Sequence, residues 1–284
     1  MDKTKNKGNN IKYLPFLIPS LAGTVVFTLL PFVDSLRRSF FGAVSGKFIG
    51  TENYKAVFEN EAFCLAVKNT AMFTAVCLPI LIGLSFIIAC LIDKLKYMKL
   101  IRSVLLFPMA VPTAALVLVW KLLFDNSGII NGVLERFGFE TVDFLESRAA
   151  FFVLVGSYIW KNLGCTVLLW LTGISAISPS ISEAAQIDGA NRVQTVIHII
   201  LPNLRPTLYT ITVLSFLSSF KVFREAYLVA GAYPHESIYL LQHLFNNWFS
   251  NFQLDKMAAA TVLVFAVIFI AVSLLQRAWD KEDV

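Results

Sequence analysis

The sequence predicts an all-α integral membrane protein of about six transmembrane helices, and three observations predict it. Hydrophobic residues make up 57% of the 284 residues and charged ones only 15%, against about 25% charged in a soluble domain. Several apolar runs approach or exceed the roughly 20 residues that cross about 30 Å of hydrocarbon as a helix. Helices are expected because lipid offers no partners to backbone N–H and C=O groups.

The runs fall at 13–33, 66–92, 104–124, 150–177, 207–230 and 257–276. Lys3, Lys5, Lys7 and Lys12 ahead of the first imitate a signal peptide, but the run is long, holds Pro15 and Pro19 and lacks a small-x-small cleavage site. It reads as a retained span. Six spans place both termini on one side. The loop with Lys94, Lys96, Lys99 and Arg102 is the most basic short one and reads as cytoplasmic, in agreement with the basic N-terminus. The loop at 125–149, with Asp125, Glu135, Glu140, Asp143 and Glu146 against Arg136 and Arg148, reads as external. Arg37, Arg38, Lys47 and Lys55 make the first external loop a partial exception. The segment 178–206 is then cytoplasmic.

The formal charge of +5 follows this topology, since the basic residues flank the apolar runs and form no nucleic-acid patch. Cys64, Cys77, Cys90 and Cys165 have no CxxC spacing and lie mostly in apolar segments, where cysteine acts as a small hydrophobe.

Within 178–206, Ser180 and Glu183 have capping-box spacing and predict a short helix through Ala184, Ala185 and Ile187, ended by a turn at Gly189. A second segment, Ala190 to Ile200, has Val193, Val196, Ile197 and Ile200 at helical spacing and stops before Leu201-Pro202, with Pro206 suited to the first turn of the next span. From the residues alone this helix-turn-helix is either an interfacial amphipathic hairpin or a partner-binding one.

Glu183-Ala184-Ala185, Asp188-Gly189-Ala190, then Ile199 and Leu201-Pro202 with Pro206, resembles the EAA loop of ABC-importer permeases. Asn69-Thr70, Arg102 with Phe107-Pro108, and Trp160 look like the core of binding-protein-dependent permeases, and Pro15 through Phe40 resembles the additional first span of carbohydrate permeases, the maltose and glycerol-phosphate group above all. Where that group often shows a Thr-Gly-Gly-Pro-like segment, this chain has Ala230-Gly231-Ala232-Tyr233-Pro234. The resemblance implies a type I ABC importer permease fold with cytoplasmic coupling helices: residues 1–64 as N-terminus, first span and external loop, 65–277 as the five-helix core, and 278–284 as a cytoplasmic tail. It implies a multi-pass subunit of the bacterial cytoplasmic membrane that carries a sugar or oligosaccharide, or a glycerophosphate-type solute. Its expected partners are a second permease, two ATP-binding subunits that hold ATP and magnesium, and an extracytoplasmic solute-binding protein. Glu183 is expected to cap the loop helix and contact the ATPase, Gly189 to allow the turn, and Asp188 to fix it through local hydrogen bonds.

No cofactor, metal site or catalytic set is expected in the chain. Gly42 to Phe48 imitates a phosphate loop but is one residue short and lacks the Ser/Thr that would hold magnesium. His235 and His243 have no supporting carboxylate or cysteine pattern. Lys161, beside Trp160 and Asn162, is the one charge well inside a span: it either faces substrate, as a carbohydrate site with an aromatic face would need, or pairs with another helix or snorkels. Ser215, Ser218 and Ser219 belong to the same candidate pathway or to helix packing. Lys221 and Glu225 are spaced for a local surface pair, and Ala258, Ala259 and Ala260 for close helix approach. With no Asp or Glu in the middle of a predicted span, a proton- or sodium-driven transporter is the weaker alternative.

Overall fold

The computed structural model describes residues 14–93, 95 and 98–280. Lys3, Lys5, Lys7, Lys12, Lys94 and Lys96 and the tail beyond residue 280 lie outside them. In chain order the helices are α1 (Leu14–Thr24), α2 (Leu30–Arg38), α3 (Glu52–Phe58), α4 (Glu61–Ile92), α5 (Met98–Ala110), α6 (Thr113–Phe124), α7 (Ile129–Arg136), α8 (Ala149–Ala176), α9 (Pro179–Ile187), α10 (Arg192–Thr195), α11 (Leu201–Asn203), α12 (Arg205–Ser219), α13 (Phe223–Ala230), α14 (Leu241–Ser250) and α15 (Leu254–Asp280).

Among the described residues five helical stretches are long and apolar enough to cross a membrane: Leu17–Arg38, Glu61–Ile92, Thr113–Arg136, Ala149–Ala176 and Leu254–Trp279. Two predicted spans are not single helices. The run at 104–124 is divided between α5 and α6 at Val111 and Pro112, because proline has no N–H to donate and holds the residue before it out of the helical region. The run at 207–230 is α12, one 3-10 turn at Phe220–Val222, and α13.

The chain divides into two compact units, one of residues up to Glu61 with Trp248–Phe269, the other of Ala62–Asn247 with the residues from Ile270 on. In the first, α1 passes through a π-type turn at Val25–Leu29 into α2. That turn precedes Pro31, which cannot continue the helical ladder. Asn53 then holds the following loop by donating to Ser39 O and Phe41 O, both at 3.0 Å. Gly42 to Lys47 is a closed turn, with Gly46 N–H donating to Gly42 O at 2.9 Å. Phe32 packs against Phe265 with ring centroids 4.6 Å apart, and Ala258, Ala259 and Ala260 are buried.

In the second unit α4 lays one stripe of side chains, Phe73, Cys77, Leu81, Ser85, Ala89 and Ile92, into two apolar cores. Steps of three and four residues keep them on one face. In the first core Phe73 meets Tyr158 of α8 edge-on at 5.5 Å. In the second, the buried Trp170 donates its Nε1–H to Ser85 Oγ at 3.1 Å and packs near Leu204 and Ile211. Glycines set the closest approaches to α8. A Cβ on Gly164 would lie 1.7 Å from Leu105 O of α5, and one on Gly173 would lie 2.4 Å from Thr207 Oγ1 of α12. Hydrogen alone fits at the first.

Candidate functional site

Lys161 meets a partner helix. Its Nζ makes a short ion pair with Glu225 Oε1 and lies 3.2 Å from Thr113 Oγ1, with the two charged side chains 22% and 8% exposed. The expected Lys221–Glu225 surface pair is therefore corrected: Glu225 is buried, while Lys221 is exposed on the far side of the helix. The 3-10 turn at Phe220–Val222 displaces α13 from the α12 register, and Glu225 sits in the first turn of α13, where helix-end N–H groups favour an anion.

Beside the pair is a cavity of about 30 Å³, lined by Trp120, Ser157 and Glu225 among apolar side chains. Among the described residues Trp120 Nε1 and Ser157 Oγ have no hydrogen-bonding partner, and the space suffices for a water molecule.

The other candidate pathway residues separate by role. Trp160 is 40% exposed and packs edge-on against Trp120 at 6.4 Å. Asn162 Nδ2 donates to Tyr158 O at 2.8 Å within its own helix, and Tyr158 Oη donates to Ser215 O at 2.7 Å. Ser219 Oγ donates to Phe216 O at 2.7 Å and lies 3.1 Å from Thr74 Oγ1. Ser215 and Ser219 are buried, whereas Ser218 is half-buried. These bonds make Ser215 and Ser219 joints between helices, and leave Trp160 and Ser218 as accessible groups.

The segment Pro179–Asn203 folds as a hairpin. Its first helix starts two residues earlier than the capping box at Ser180 and Glu183 requires, because Pro179 suits the first helical position. Ser180 Oγ bonds Ser178 Oγ at 2.8 Å instead. The turn has the C-terminal form that glycine favours: Gly189 has φ +81°, and Ala190 N–H donates back to Ala185 O at 2.9 Å. The capping box sits on the second arm, where Asn191 Oδ1 accepts from Gln194 N–H at 2.9 Å and Gln194 Oε1 accepts from Asn191 N–H at 2.8 Å. That arm is α10, a π-type turn at Val196–Ile200 and α11 rather than one continuous helix.

Ala185 and Thr195 are buried, while Glu183, Ala184, Asp188, Gly189, Leu201 and Pro202 are exposed and Ala190 and Ile199 half-buried. Ile187, Val193 and Ile197 are 86%, 65% and 51% exposed. Leu204, next to α11, is buried in the Trp170 core. The hairpin is thus closed on itself, rooted in the helices behind it, and presents apolar side chains outward between Glu183, Asp188 and Arg192.

Asn69 and Thr70, which resemble the permease core in sequence, have a clear structural task. Asn69 Nδ2 donates to Glu236 O and to Tyr239 O, the latter at 3.0 Å, and Leu241 N–H donates to Thr70 Oγ1 at 3.1 Å. They tie α4 to the segment that follows α13. Nearby, the buried His243 accepts from Leu240 N–H at 3.1 Å and is ringed by Phe223, Tyr227 and Tyr239. Burial pushes its pKa down to about 4.

The chain is 30% identical over 274 residues to the trehalose/maltose transport permease protein MalF of Thermococcus litoralis, covering 94% of this chain and 92% of that protein. It is 29% identical over 282 residues to the sn-glycerol-3-phosphate transport permease protein UgpA of Agrobacterium fabrum, covering 95% and 96%. Its fold is that of one chain of a bacterial ABC transporter involved in import of the acidic polysaccharide alginate, with a TM-score of 0.84, 98% of each chain covered and 21% identity. Residues 81–282, well over half of the sequence, match the binding-protein-dependent transport system inner membrane components, and the chain belongs to that family.

Proposed function

We propose that this chain is one of two permease subunits of an ATP-binding-cassette importer, and that the pair passes a saccharide, or a glycerophosphate-type solute, received from an external binding protein. Family membership supports the transport role, and relatives named for maltose, trehalose and glycerol-3-phosphate uptake support the solute class. Both termini and the hairpin lie in the cytoplasm on this reading. Two separate ATPase subunits bind ATP and magnesium; this chain contributes motion and a path.

The observation that carries the reading is the hairpin: closed by its own turn and cap, yet exposing Ile187, Val193 and Ile197 between charged residues. Such a face gains by docking, because apolar area leaves water and the charges set orientation. In the mechanism an ATPase groove holds this face and moves it when ATP closes the ATPase pair. The hairpin is short and internally bonded, so displacement passes through Leu204 to α8 and α12. The break at Phe220–Val222 then separates the inner and outer halves of the fifth span. Each state needs contacts the other lacks. Among these residues Trp160 and Ser218 are the groups placed to meet solute, and Lys161 acts through Glu225.

Site-directed cross-linking tests this. In a background with Cys64, Cys77, Cys90 and Cys165 replaced, Ile187→Cys is expected to cross-link to the co-expressed ATPase, with a yield that changes when ATP is added. Val44→Cys is expected to give none. No ATPase adduct at Ile187 would remove the docking role.

A further inference from the structure

Lys221 and Arg224 are a feature that neither the ion pair nor the hairpin absorbs. They continue an exposed ridge along the broken fifth span, Leu214, Leu217, Lys221, Arg224 and Leu228, spaced by three and four residues. The opposite face, with Val222, Glu225 and Ala226, is buried. At 1.5 Å per residue the two cations lie about 24 and 28 Å along the helical path from Arg205, still ahead of the end of α13.

Glu225 is the carboxylate nearest them in sequence, and it is turned away and consumed by Lys161. Among the described residues neither Lys221 nor Arg224 takes part in an ion pair. At about 24 and 28 Å of a span of roughly 30 Å the two cations lie near one end of it, where long basic side chains reach water rather than lipid. In a subunit that forms half of a translocation path, that water includes the mouth of the path. Tyr227 is exposed on the same side and is steadied by ring contacts with Phe223 at 5.3 Å and His243 at 6.5 Å. A guanidinium fork for paired oxygens, an ammonium and a fixed aromatic ring together suit a sugar ring that carries negative charge.

We propose that Lys221, Arg224 and Tyr227 form a binding stripe for an anionic saccharide, one bearing carboxylate or phosphate groups, during its passage. This rests on the permease reading and narrows its solute to a charge class. An anionic sugar supplies the charge that the two cations lack, and a neutral one does not.

The test uses the complete importer, with its own partner permease, ATPases and binding protein, in proteoliposomes. Maltose and cellobiose serve as neutral probes, digalacturonate as the carboxylate probe and glucose 6-phosphate as the phosphate probe. Uptake of one of the last two, and of neither neutral sugar, is expected, and which one is taken identifies the anionic group. Lys221→Gln and Arg224→Gln are each expected to raise the half-saturating concentration about ten-fold or more, while Lys221→Arg retains most uptake. Uptake of a neutral sugar, unaffected by Lys221→Gln and Arg224→Gln, overturns the stripe and leaves the permease reading standing. So does loss of co-purification with the partner permease in both glutamine variants, since the cations would then be pairing with that subunit. If no probe is carried and Ile187→Cys also finds no ATPase, the permease reading falls with it.

Discussion

Lys161 on α8 and Glu225 on α13 form an ion pair that crosses between two helices at the level where the fifth span breaks. Each residue alone would be an uncompensated charge in an apolar setting. Together, with Thr113 Oγ1 as a further neighbour of the ammonium, they join α8 to α13 of the broken span. Removing one partner strands the other, and that asymmetry exceeds the worth of the pair itself.

Glu225→Gln is therefore expected to destabilise the purified chain by about 3–5 kcal/mol, and Lys161→Met by a similar amount. The double variant Lys161→Met/Glu225→Leu is expected to recover most of the loss, since it leaves no buried charge. Thermal unfolding in detergent checks this. Equal, additive losses in the single and double variants would show that the two side chains do not interact.

Gly164 and Gly156 lie on the same helix with opposite surroundings. A Cβ at Gly164 meets Leu105 O at 1.7 Å, whereas one at Gly156 meets nothing within 4 Å. Gly164→Ala is expected to force α5 away from α8 at a cost of at least about 3 kcal/mol. Gly156→Ala is expected to be neutral or to stabilise by about 0.5–1 kcal/mol through helix propensity. Folded yield and melting temperature of the two variants decide the matter.

Asn69→Ala removes two donated hydrogen bonds to Glu236 O and Tyr239 O. A loss of about 2 kcal/mol is expected for the buried carbonyls left behind. The looser segment should show faster amide exchange at residues 236–241 than in the parent, with little change at α15.

His243 is buried neutral, with a pKa lowered from 6.5 to about 4. Above pH 6.5 neither the folded nor the unfolded chain protonates it, so stability is flat there. Between about 6.5 and 4 the unfolded chain takes up a proton that the folded chain refuses, and stability falls by about 1.4 kcal/mol per pH unit, on the order of 3 kcal/mol in all. Below about 4 this contribution levels off. His243→Asn, whose side-chain oxygen can still accept from Leu240 N–H, is expected to remove that slope from the melting temperature measured between pH 4 and 7.

Long apolar runs are readable because membrane thickness sets their length, and α8 at Ala149–Ala176 lies within a residue of the expected 150–177 at each end. Breaks inside such runs are harder to read. Pro112 marks one openly, but nothing apolar distinguishes Phe220–Val222 from the helix before it. Local spacing also predicts only what local geometry decides. Ser180 with Glu183 and Asn191 with Gln194 have the same spacing, yet Pro179 starts the first helix two residues too early for Ser180 to cap it. Likewise Lys221 and Glu225 have pairing distance along one helix, and Glu225 instead meets Lys161, 64 residues away in sequence. A lone lysine inside a span calls for a counter-charge, but its sequence position does not say which acid the fold will bring to it.

ATP-dependent solute uptake by the reconstituted importer, with Glu183→Ala and Gly189→Val, reads out whether the hairpin couples transport to ATP. Gly189 has φ +81°, a conformation that valine adopts only under strain, and Glu183 is exposed, so neither change should disturb the helices behind the hairpin. Both variants are expected to assemble with the partner permease while uptake drops at least about ten-fold, a loss of about 1.4 kcal/mol or more in coupling. Uptake at the parent rate in both would contradict the assignment of Pro179–Asn203 to the ATPase and leave the chain without its link to ATP.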